Sequence, residues 1–186
     1  QRVADEQGAT LMHPFEAPHM VMGSATLGAE YMAQAPDLDT LIVPIGGGGL
    51  MAGVATAVKA MKPEIEIIGA QAQSFAAVKA GVDGFDGEIG GKTLAEGIAV
   101  KEPSAGNIDV IKNLVTRIDI ATEDEIERAL FDLLSDEKLV AEGAAGAGDR
   151  RGEITAPAGE SYTNPDGAVI SPPNMPSVIC AMSDTA

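Results

Sequence analysis

Leu41-Ile-Val-Pro-Ile-Gly-Gly-Gly-Gly-Leu-Met-Ala-Gly-Val-Ala-Thr-Ala-Val-Lys59 is the stretch that decides the fold of this chain. Residues 41–45 are apolar and mostly β-branched or proline, which predicts a short buried strand. An apolar face at helical spacing follows: Leu50, Val54 and Val58. Residues 46–49 therefore form a four-glycine turn between a strand and a helix.

This glycine turn is typical of an anion site. Residues without Cβ adopt positive φ readily and let backbone N–H groups approach a ligand, while the following helix N-terminus carries partial positive charge. A glycine also costs about 0.5–1 kcal/mol relative to alanine inside a regular element. Because so costly a run needs a reason, we expect the amides of residues 46–49 to hold a phosphate group, with a flexible turn as the alternative.

The segments on either side predict a parallel α/β sheet. Residues 64–70 alternate polar and apolar and form a second strand, so that strand, helix and strand make a right-handed βαβ unit. A third alternating strand covers residues 115–120, and Thr122 with Glu125 forms a capping box that begins a long helix. In such a sheet, ligands bind at the carboxyl ends of the strands, where the glycines lie.

The remaining segments are assigned by composition and turn residues. Residues 1–7 form a helix end closed by Gly8, and two prolines keep residues 13–19 in an ordered loop. The other predictions are a strand at 9–12, helices at 20–33, 71–80 and 107–114, a glycine-rich loop at 81–92, and a small-residue helix packing on the sheet at 139–148.

Composition excludes several classes of function. The chain has 186 residues, enough for one domain with a core, and a formal charge of -16 with only 12 Lys and Arg. So few cations argue against a nucleic-acid partner. No apolar run approaches the ~20 residues of a membrane span, and residues 1–6 lack the apolar core of a signal peptide. Cys180 is the only cysteine, so we expect no disulfide and a cytoplasmic location.

Three side chains outside the glycine turn are candidates for chemistry. His13 and His19 lie in the proline-rich loop, but no acid or serine is spaced to pair with either, which favours a packing or surface role. Glu142 stands alone among small apolar residues. Because an isolated carboxylate there must find a hydrogen-bond donor or be protonated, Glu142 is the better functional candidate.

Three ligands could use the glycine turn. A nucleoside triphosphate is excluded because no Lys-Ser or Lys-Thr pair follows the glycines. A dinucleotide would match Gly47-x-Gly49-x-x-Ala52, yet Gln71 stands where that fold places an acid for the ribose hydroxyls. A compact monophosphate cofactor is the third candidate, since four consecutive glycines form a tighter cup than the dinucleotide pattern.

At this point a family resemblance becomes visible. Pro44-Ile-Gly-Gly-Gly-Gly-Leu-Met-Ala-Gly-Val-Ala, with His13-Pro-Phe upstream and Ala95-Glu-Gly-Ile-Ala-Val100 downstream, resembles the threonine dehydratase and serine racemase family of fold-type II pyridoxal phosphate enzymes. The resemblance covers residues 1–148 as the C-terminal part of the cofactor-binding core, and leaves 149–186 as an atypical segment. It implies an α/β fold like that of the tryptophan synthase β subunit, with a parallel sheet and flanking helices.

The resemblance also implies a reaction and site residues. The reaction is β-elimination from L-threonine or L-serine to a 2-oxo acid and ammonia, with pyridoxal 5'-phosphate as electron sink. Racemisation, hydroxyectoine-type dehydration and a non-catalytic phosphate-binding module are the alternatives. The residues that inherit a cofactor-binding role are Gly46, Gly47, Gly48, Gly49, Leu50, Gly97 and Glu142, and Asp166 could pair with the pyridine nitrogen unless the stretch 149–166 is locally scrambled.

The chain departs from the family in what it lacks. No Ser-x-Lys segment supplies the lysine that forms a Schiff base with the cofactor, so we assign no catalytic residue and expect this chain alone to be inactive. We expect it to be the C-terminal part of an enzyme that acts on a small amino acid as a homodimer when complete. Gln71 and Ala77 occupy the positions where relatives carry metal-binding acids, so we expect no metal site.

Overall fold

The sheet confirms the predicted parallel α/β arrangement. The computed structural model describes residues 2–149, and the expectations for Asp166 and for the segment 150–186 lie outside them. Within the described residues, three parallel strands lie side by side in the order β1-β2-β3: β1 (Thr40–Pro44), β2 (Glu66–Ala72) and β3 (Arg117–Ala121). Leu41 of β1 pairs with Ile67 of β2, and Gly69 of β2 pairs with Ile118 of β3.

Helices connect and flank these strands. The described helices are α1 (Arg2–Gln7), α2 (Pro18–Gln34), α3 (Gly49–Met61), α4 (Ala77–Asp83), α5 (Ala105–Leu114), α6 (Glu123–Ser135) and α7 (Gly143–Gly148). Short 3₁₀ turns occupy Gln73–Phe75 and Glu96–Ile98. Because α3 joins two adjacent parallel strands, the glycine turn at its start lies at the carboxyl end of β1.

One face of the sheet carries the larger core. Leu41, Val43, Ile67 and Ile118 of the strands pack with residues of α3 and with Ile111 of α5. Helix α2 packs on the outer side of α3 at very short range. A methyl group built on Gly53 would lie 2.3 Å from the carbonyl oxygen of Val21, so the two helices approach as closely as their backbones allow.

The other face is covered by α6 and α7. The predicted capping box is present, since the amide of Glu125 donates to Thr122 Oγ1 (3.3 Å) and the amide of Thr122 donates to Glu125 Oε2 (2.5 Å). The six residues of α7 are all glycine or alanine and all buried, and they pack on β1 and β2. This confirms that the small residues allow a helix to lie close to the sheet.

Two predicted elements are wrong. Residues 9–12 form no strand, because the segment is exposed and no sheet edge pairs with it; Leu11 and Met12 are 58% and 50% exposed. Residues 71–80 are not one helix. Strand β2 continues to Ala72 and a 3₁₀ turn precedes α4, because the buried amide of Gln71 binds the carbonyl oxygen of Phe75 and the backbone amide of Lys79. These two hydrogen bonds of Gln71 stabilise the turn that separates β2 from α4.

No helix among residues 2–149 is both long enough and apolar enough to cross a membrane.

Candidate functional site

The glycine turn borders a cavity of about 130 Å³. The lining residues come from the proline-rich loop, α2, the end of β1, the glycine turn, the start of α3, the 3₁₀ turn near residue 97 and α7: Pro14, Phe15, Met20, Ser24, Pro44, Ile45, Gly46, Gly47, Gly48, Gly49, Leu50, Met51, Gly97, Ile98, Val100 and Ala144. By the same measure a cavity needs only about 10–15 Å³ to hold one water molecule, so a small anionic group fits in this space.

The backbone of the turn is arranged as an anion site. Gly48 has φ 91°, the left-handed conformation that glycine adopts without strain, and it is the N-cap residue of α3. None of the hydrogen bonds among the described residues has an N–H of residues 46–49 as its donor. Buried amides normally have partners, so these donors at a helix N-terminus are suited to bind an anion such as phosphate.

Each glycine of the turn also contacts protein on its Cβ side. A methyl group on Gly46 would lie 3.0 Å from Ile98 Cα, and one on Gly48 would lie 3.1 Å from Asn107 Cβ. Methyl groups on Gly47 and Gly49 would meet Phe15, at 2.3 Å from the ring and 2.8 Å from the carbonyl oxygen. The turn thus lies between packed neighbours and a cavity, and a larger residue at any of the four positions would press on one of them.

Gly97 and Glu142 lie next to each other. A methyl group built on Gly97 would lie 3.5 Å from Glu142 Oε2, and Gly97 lines the cavity whereas Glu142 does not. Glu142 is exposed and is the N-cap of α7, where its carboxylate accepts hydrogen bonds from the amides of Ala144 (3.0 Å) and Ala145 (3.1 Å). The carboxylate thus has hydrogen-bond donors, which is the first of the two outcomes expected for it, and its role toward a cofactor stays a prediction.

The two histidines differ in their surroundings. His13 Nδ1 accepts a hydrogen bond from the amide of Glu16 (3.1 Å), and its ring stands edge-on to the Phe15 ring at 4.6 Å between centroids. This confirms the expected packing role within the loop. His19 is exposed in the first turn of α2 and does not line the cavity.

Gln71 and the lysines take no part in lining the cavity. Gln71 is fully buried, and its Nε2 donates to the carbonyl oxygens of Ile45 and Phe75 (both 3.2 Å) while its Oε1 accepts from the amide of Lys79 (2.8 Å). With its hydrogen bonds directed to protein, Gln71 does not face a ribose. All seven lysines of the chain are described residues outside the cavity lining: Lys59, Lys62, Lys79, Lys92, Lys101, Lys112 and Lys138.

Titratable clusters are sparse in the described part of the chain. Among residues 2–149, no group of three or more His, Cys, Asp or Glu side chains is arranged to hold a metal ion. The cavity lining has no acidic or basic side chain, so the positive potential at the site comes from backbone amides and the α3 terminus.

Sequence reasoning missed two residues of this site. Phe15 belongs to the His-Pro-Phe motif, but its contact with Gly47 and Gly49 depends on the path of the loop over the glycine turn. Asn107 is 4% exposed and donates to the carbonyl oxygens of Phe15 (2.7 Å) and Gly47 (3.1 Å). A polar residue early in an amphipathic helix has the sequence pattern of a surface position, so no local signal distinguishes it.

Residues 1–149 resemble known proteins in sequence. A family model described as pyridoxal-phosphate dependent enzyme matches residues 1–149. The L-threonine ammonia-lyase of Thermotoga maritima is 40% identical over 149 residues, which are 79% of this chain and 37% of that protein.

Solved structures of a serine racemase and a threonine deaminase also match this chain. Maize serine racemase matches with a TM-score of 0.73 and 30% identity, over 79% of this chain and 45% of that one. The processed form of threonine deaminase isoform 2 from Solanum lycopersicum matches with a TM-score of 0.72 and 25% identity, over 79% of this chain and 41% of that one. The chain spans less than half the length of each of these three relatives.

Proposed function

The chain belongs to the pyridoxal-phosphate dependent enzyme family, and from that premise we propose that it is the phosphate-binding part of an ammonia-lyase acting on L-threonine or L-serine. The products are a 2-oxo acid and ammonia. Relatives named L-threonine ammonia-lyase and L-threonine dehydratase, at 40% and 37% identity, support this reaction.

The observation that carries the proposal is the group of amides at residues 46–49. They have no acceptor among the described residues, they lie at the N-terminus of a 13-residue helix, and all four residues border the cavity. Charge-assisted hydrogen bonds from several amides to one phosphate are stronger than neutral ones. The residues present therefore fit a phosphate monoester, and a phosphorylated cofactor would be held by that end.

Pyridoxal phosphate is a cofactor of this kind. When bound, pyridoxal phosphate supplies an electron sink for cleavage of bonds at the amino-acid α and β carbons. This chain would hold the phosphate with residues 46–49 and Leu50, and Gly97, which lines the same cavity, would be a further cofactor-binding residue. Glu142 caps α7 next to Gly97 and would be the last cofactor-binding residue of the described part of the chain. The role of Asp166 at the pyridine nitrogen stays a prediction.

In our proposal, the lysine that binds the cofactor covalently in this family comes from outside these 186 residues. All seven lysines are outside the cavity lining. Lys59 donates to the carbonyl oxygens of Pro63 and Ile65, and Lys62 to that of Leu38, so these side chains have structural partners. We expect the 186-residue chain alone to bind the cofactor without turning over substrate. We expect the complete enzyme to be a cytoplasmic homodimer.

Serine racemisation is the second candidate, because maize serine racemase has a TM-score of 0.73 with this chain. The two reactions share a cofactor and a substrate. They differ in whether the substrate loses its hydroxyl group or regains a proton on the opposite face.

A fusion protein tests the proposal. The part of the Thermotoga maritima L-threonine ammonia-lyase that precedes the region matched here would be joined ahead of this chain and supplied with pyridoxal phosphate. We expect 2-oxobutanoate and ammonia from L-threonine with the fusion and neither with the 186-residue chain alone. Formation of D-serine from L-serine without pyruvate would favour racemisation instead.

Two variants of the fusion serve as a matched pair. Gly48→Val places a β-branched residue at φ 91° and should abolish turnover. Gly23→Ala lies on α2, where a methyl group has nothing within 4 Å, and should leave turnover unchanged. Equal activity of both variants would contradict the assignment of the glycine turn.

A further inference from the structure

One buried amide links the glycine turn to the loop above it. Asn107 Nδ2 donates to the carbonyl oxygen of Phe15 at 2.7 Å and to that of Gly47 at 3.1 Å. Because both neighbours are acceptors, the orientation of the amide is fixed by chemistry, with nitrogen toward them. The side chain comes from the first turn of α5, and three segments distant in sequence meet at its NH₂ group.

The bond to Gly47 fixes a peptide plane. No cis peptide bond is present in the described residues, and in a trans peptide the C=O of one residue and the N–H of the next point in opposite directions. Holding the Gly47 carbonyl toward Asn107 therefore directs the N–H of Gly48 away from α5. Gly48 borders the cavity, and its N–H is among the amides without an acceptor in the described part of the chain.

Without this bond the turn has other conformations available. Glycine has a broad range of allowed φ and ψ, so the peptide between Gly47 and Gly48 can rotate at low cost and exchange the positions of its C=O and N–H. A rotated peptide would present a carbonyl oxygen, which repels a phosphate, where the amide now lies. The freedom that lets glycines approach a ligand thus requires an outside group that selects one orientation.

The bond to Phe15 fixes the loop in the same way. The Phe15 ring lies on Gly47 and its carbonyl oxygen lies near Gly49, so a displaced loop would change the contacts on the Cβ side of the turn. The amide of Asn107 holds both surfaces at once. Asn113, one helix face away on α5, is exposed and donates only to the carbonyl oxygen of Asp109 within its own helix.

We propose that Asn107 is a positioning residue of the phosphate site, which orients the Gly47–Gly48 peptide so that the Gly48 amide faces the ligand. This inference rests on the proposed function, since the ligand is the cofactor phosphate. Asn107 is not in the cavity lining and acts through the glycine backbone.

The experiment compares Asn107→Leu with Asn113→Leu in the 186-residue chain. Leucine has nearly the shape of asparagine and adds no charge near the anion. Affinities for pyridoxal phosphate and for inorganic phosphate are measured by calorimetry, and the glycine amides are followed in ¹H–¹⁵N spectra, well below the melting temperature of each variant. We expect Asn107→Leu to weaken both affinities about tenfold or more, the loss typical of unsatisfied partners, while Asn113→Leu stays within about twofold of the unchanged chain.

The spectra separate positioning from general stability. Phosphate should shift the Gly48 amide resonance in the unchanged chain and in Asn113→Leu, and that shift should be absent in folded Asn107→Leu. If Asn107→Leu does not fold, Asn107→Ser is measured in its place. A serine hydroxyl can donate to only one of the two carbonyl oxygens, so we expect an affinity between those of Asn107→Leu and the unchanged chain. Equal affinities and an equal Gly48 shift in the folded Asn107 variant and the unchanged chain would overturn this inference alone. Failure of the unchanged chain to bind either probe would overturn the proposed function.

Discussion

The ring of Phe15 lies against Gly47 so closely that a methyl group on Gly47 would come within 2.3 Å of the ring carbons. The same residue approaches Gly49 through its backbone. Absence of a side chain at these two positions is therefore required by packing before any ligand is considered. The glycine run therefore has two roles. On its Cβ side it allows Phe15 to pack closely, and on its amide side it leaves N–H groups for a ligand.

Gly47→Ala should destabilise the chain because the ring has to move or the turn has to shift. Overpacking of this kind costs about 1–3 kcal/mol. Gly23→Ala is the control, since a methyl group there meets nothing within 4 Å and α2 is helical, so a gain of about 0.5–1 kcal/mol is expected. Urea unfolding monitored by circular dichroism gives both values.

A double-mutant cycle identifies the cause of that loss. If Phe15 is the obstacle, Gly47→Ala should cost much less in a Phe15→Ala background, with a coupling energy of about 0.5–3 kcal/mol between the two sites. Additive losses would mean that Gly47 is constrained by its backbone or by another neighbour.

The cofactor should be recognised through its phosphate. Pyridoxal phosphate should bind the unchanged chain at least about tenfold more tightly than pyridoxal, because only the former can accept charge-assisted hydrogen bonds from residues 46–49. Inorganic phosphate should compete with the cofactor. Equal affinity of pyridoxal and its phosphate ester, measured by calorimetry, would show that the glycine turn is not the binding determinant.

Glu142 can be tested as a helix cap and as a cofactor residue in one pair of variants. Glu142→Ala removes the acceptor of the amides of Ala144 and Ala145 and should cost about 0.5–2 kcal/mol of unfolding free energy. Glu127→Ala on the exposed face of α6 is the control and should change stability by no more than about 0.5 kcal/mol. Glu142→Gln keeps an acceptor, so a folded Glu142→Gln chain with weakened cofactor binding would indicate a direct role at the cofactor.

Asp83 gives a pH-dependent contribution to stability. A side-chain hydrogen bond from Lys79, at 2.6 Å, holds the pKa of the Asp83 carboxyl below its ordinary value of 3.8. A pKa lowered in the folded state stabilises the fold above the unfolded pKa, and this contribution is lost as the pH falls through the folded pKa. Because the Asp83 side chain is 46% exposed, screening by solvent keeps the contribution small.

Asp83→Asn should therefore cost a few tenths of a kcal/mol, about 0.3–0.5, at neutral pH. The difference from the unchanged chain should vanish when the pH is well below the ordinary carboxyl value of 3.8. Urea unfolding at neutral pH and at the acidic pH measures the difference in unfolding free energy, with Asp109→Asn on α5 as the control. A difference that persists in acid would assign the effect to packing instead of charge.

Much of the fold could be read from local patterns. The apolar run before the glycines, the alternation in β2 and β3 and the capping box at Thr122 each depend on neighbours within a few residues, and all are present in the structure. The assignment to the fold-type II pyridoxal phosphate enzymes is confirmed by the family match and by the solved relatives. The strand predicted at residues 9–12 is absent, because a strand needs a partner edge and the composition of a short segment does not supply one.

The sequence by itself determined the parallel α/β frame and a glycine turn at the start of a helix, because strand and helix periodicity and glycine's conformational freedom are local properties of the chain. Only the tertiary structure decided that Phe15 covers the turn and that Asn107 donates to the Gly47 carbonyl oxygen. These contacts join residues up to 92 positions apart. Their existence depends on where packing brings separate segments together, and no local pattern records that.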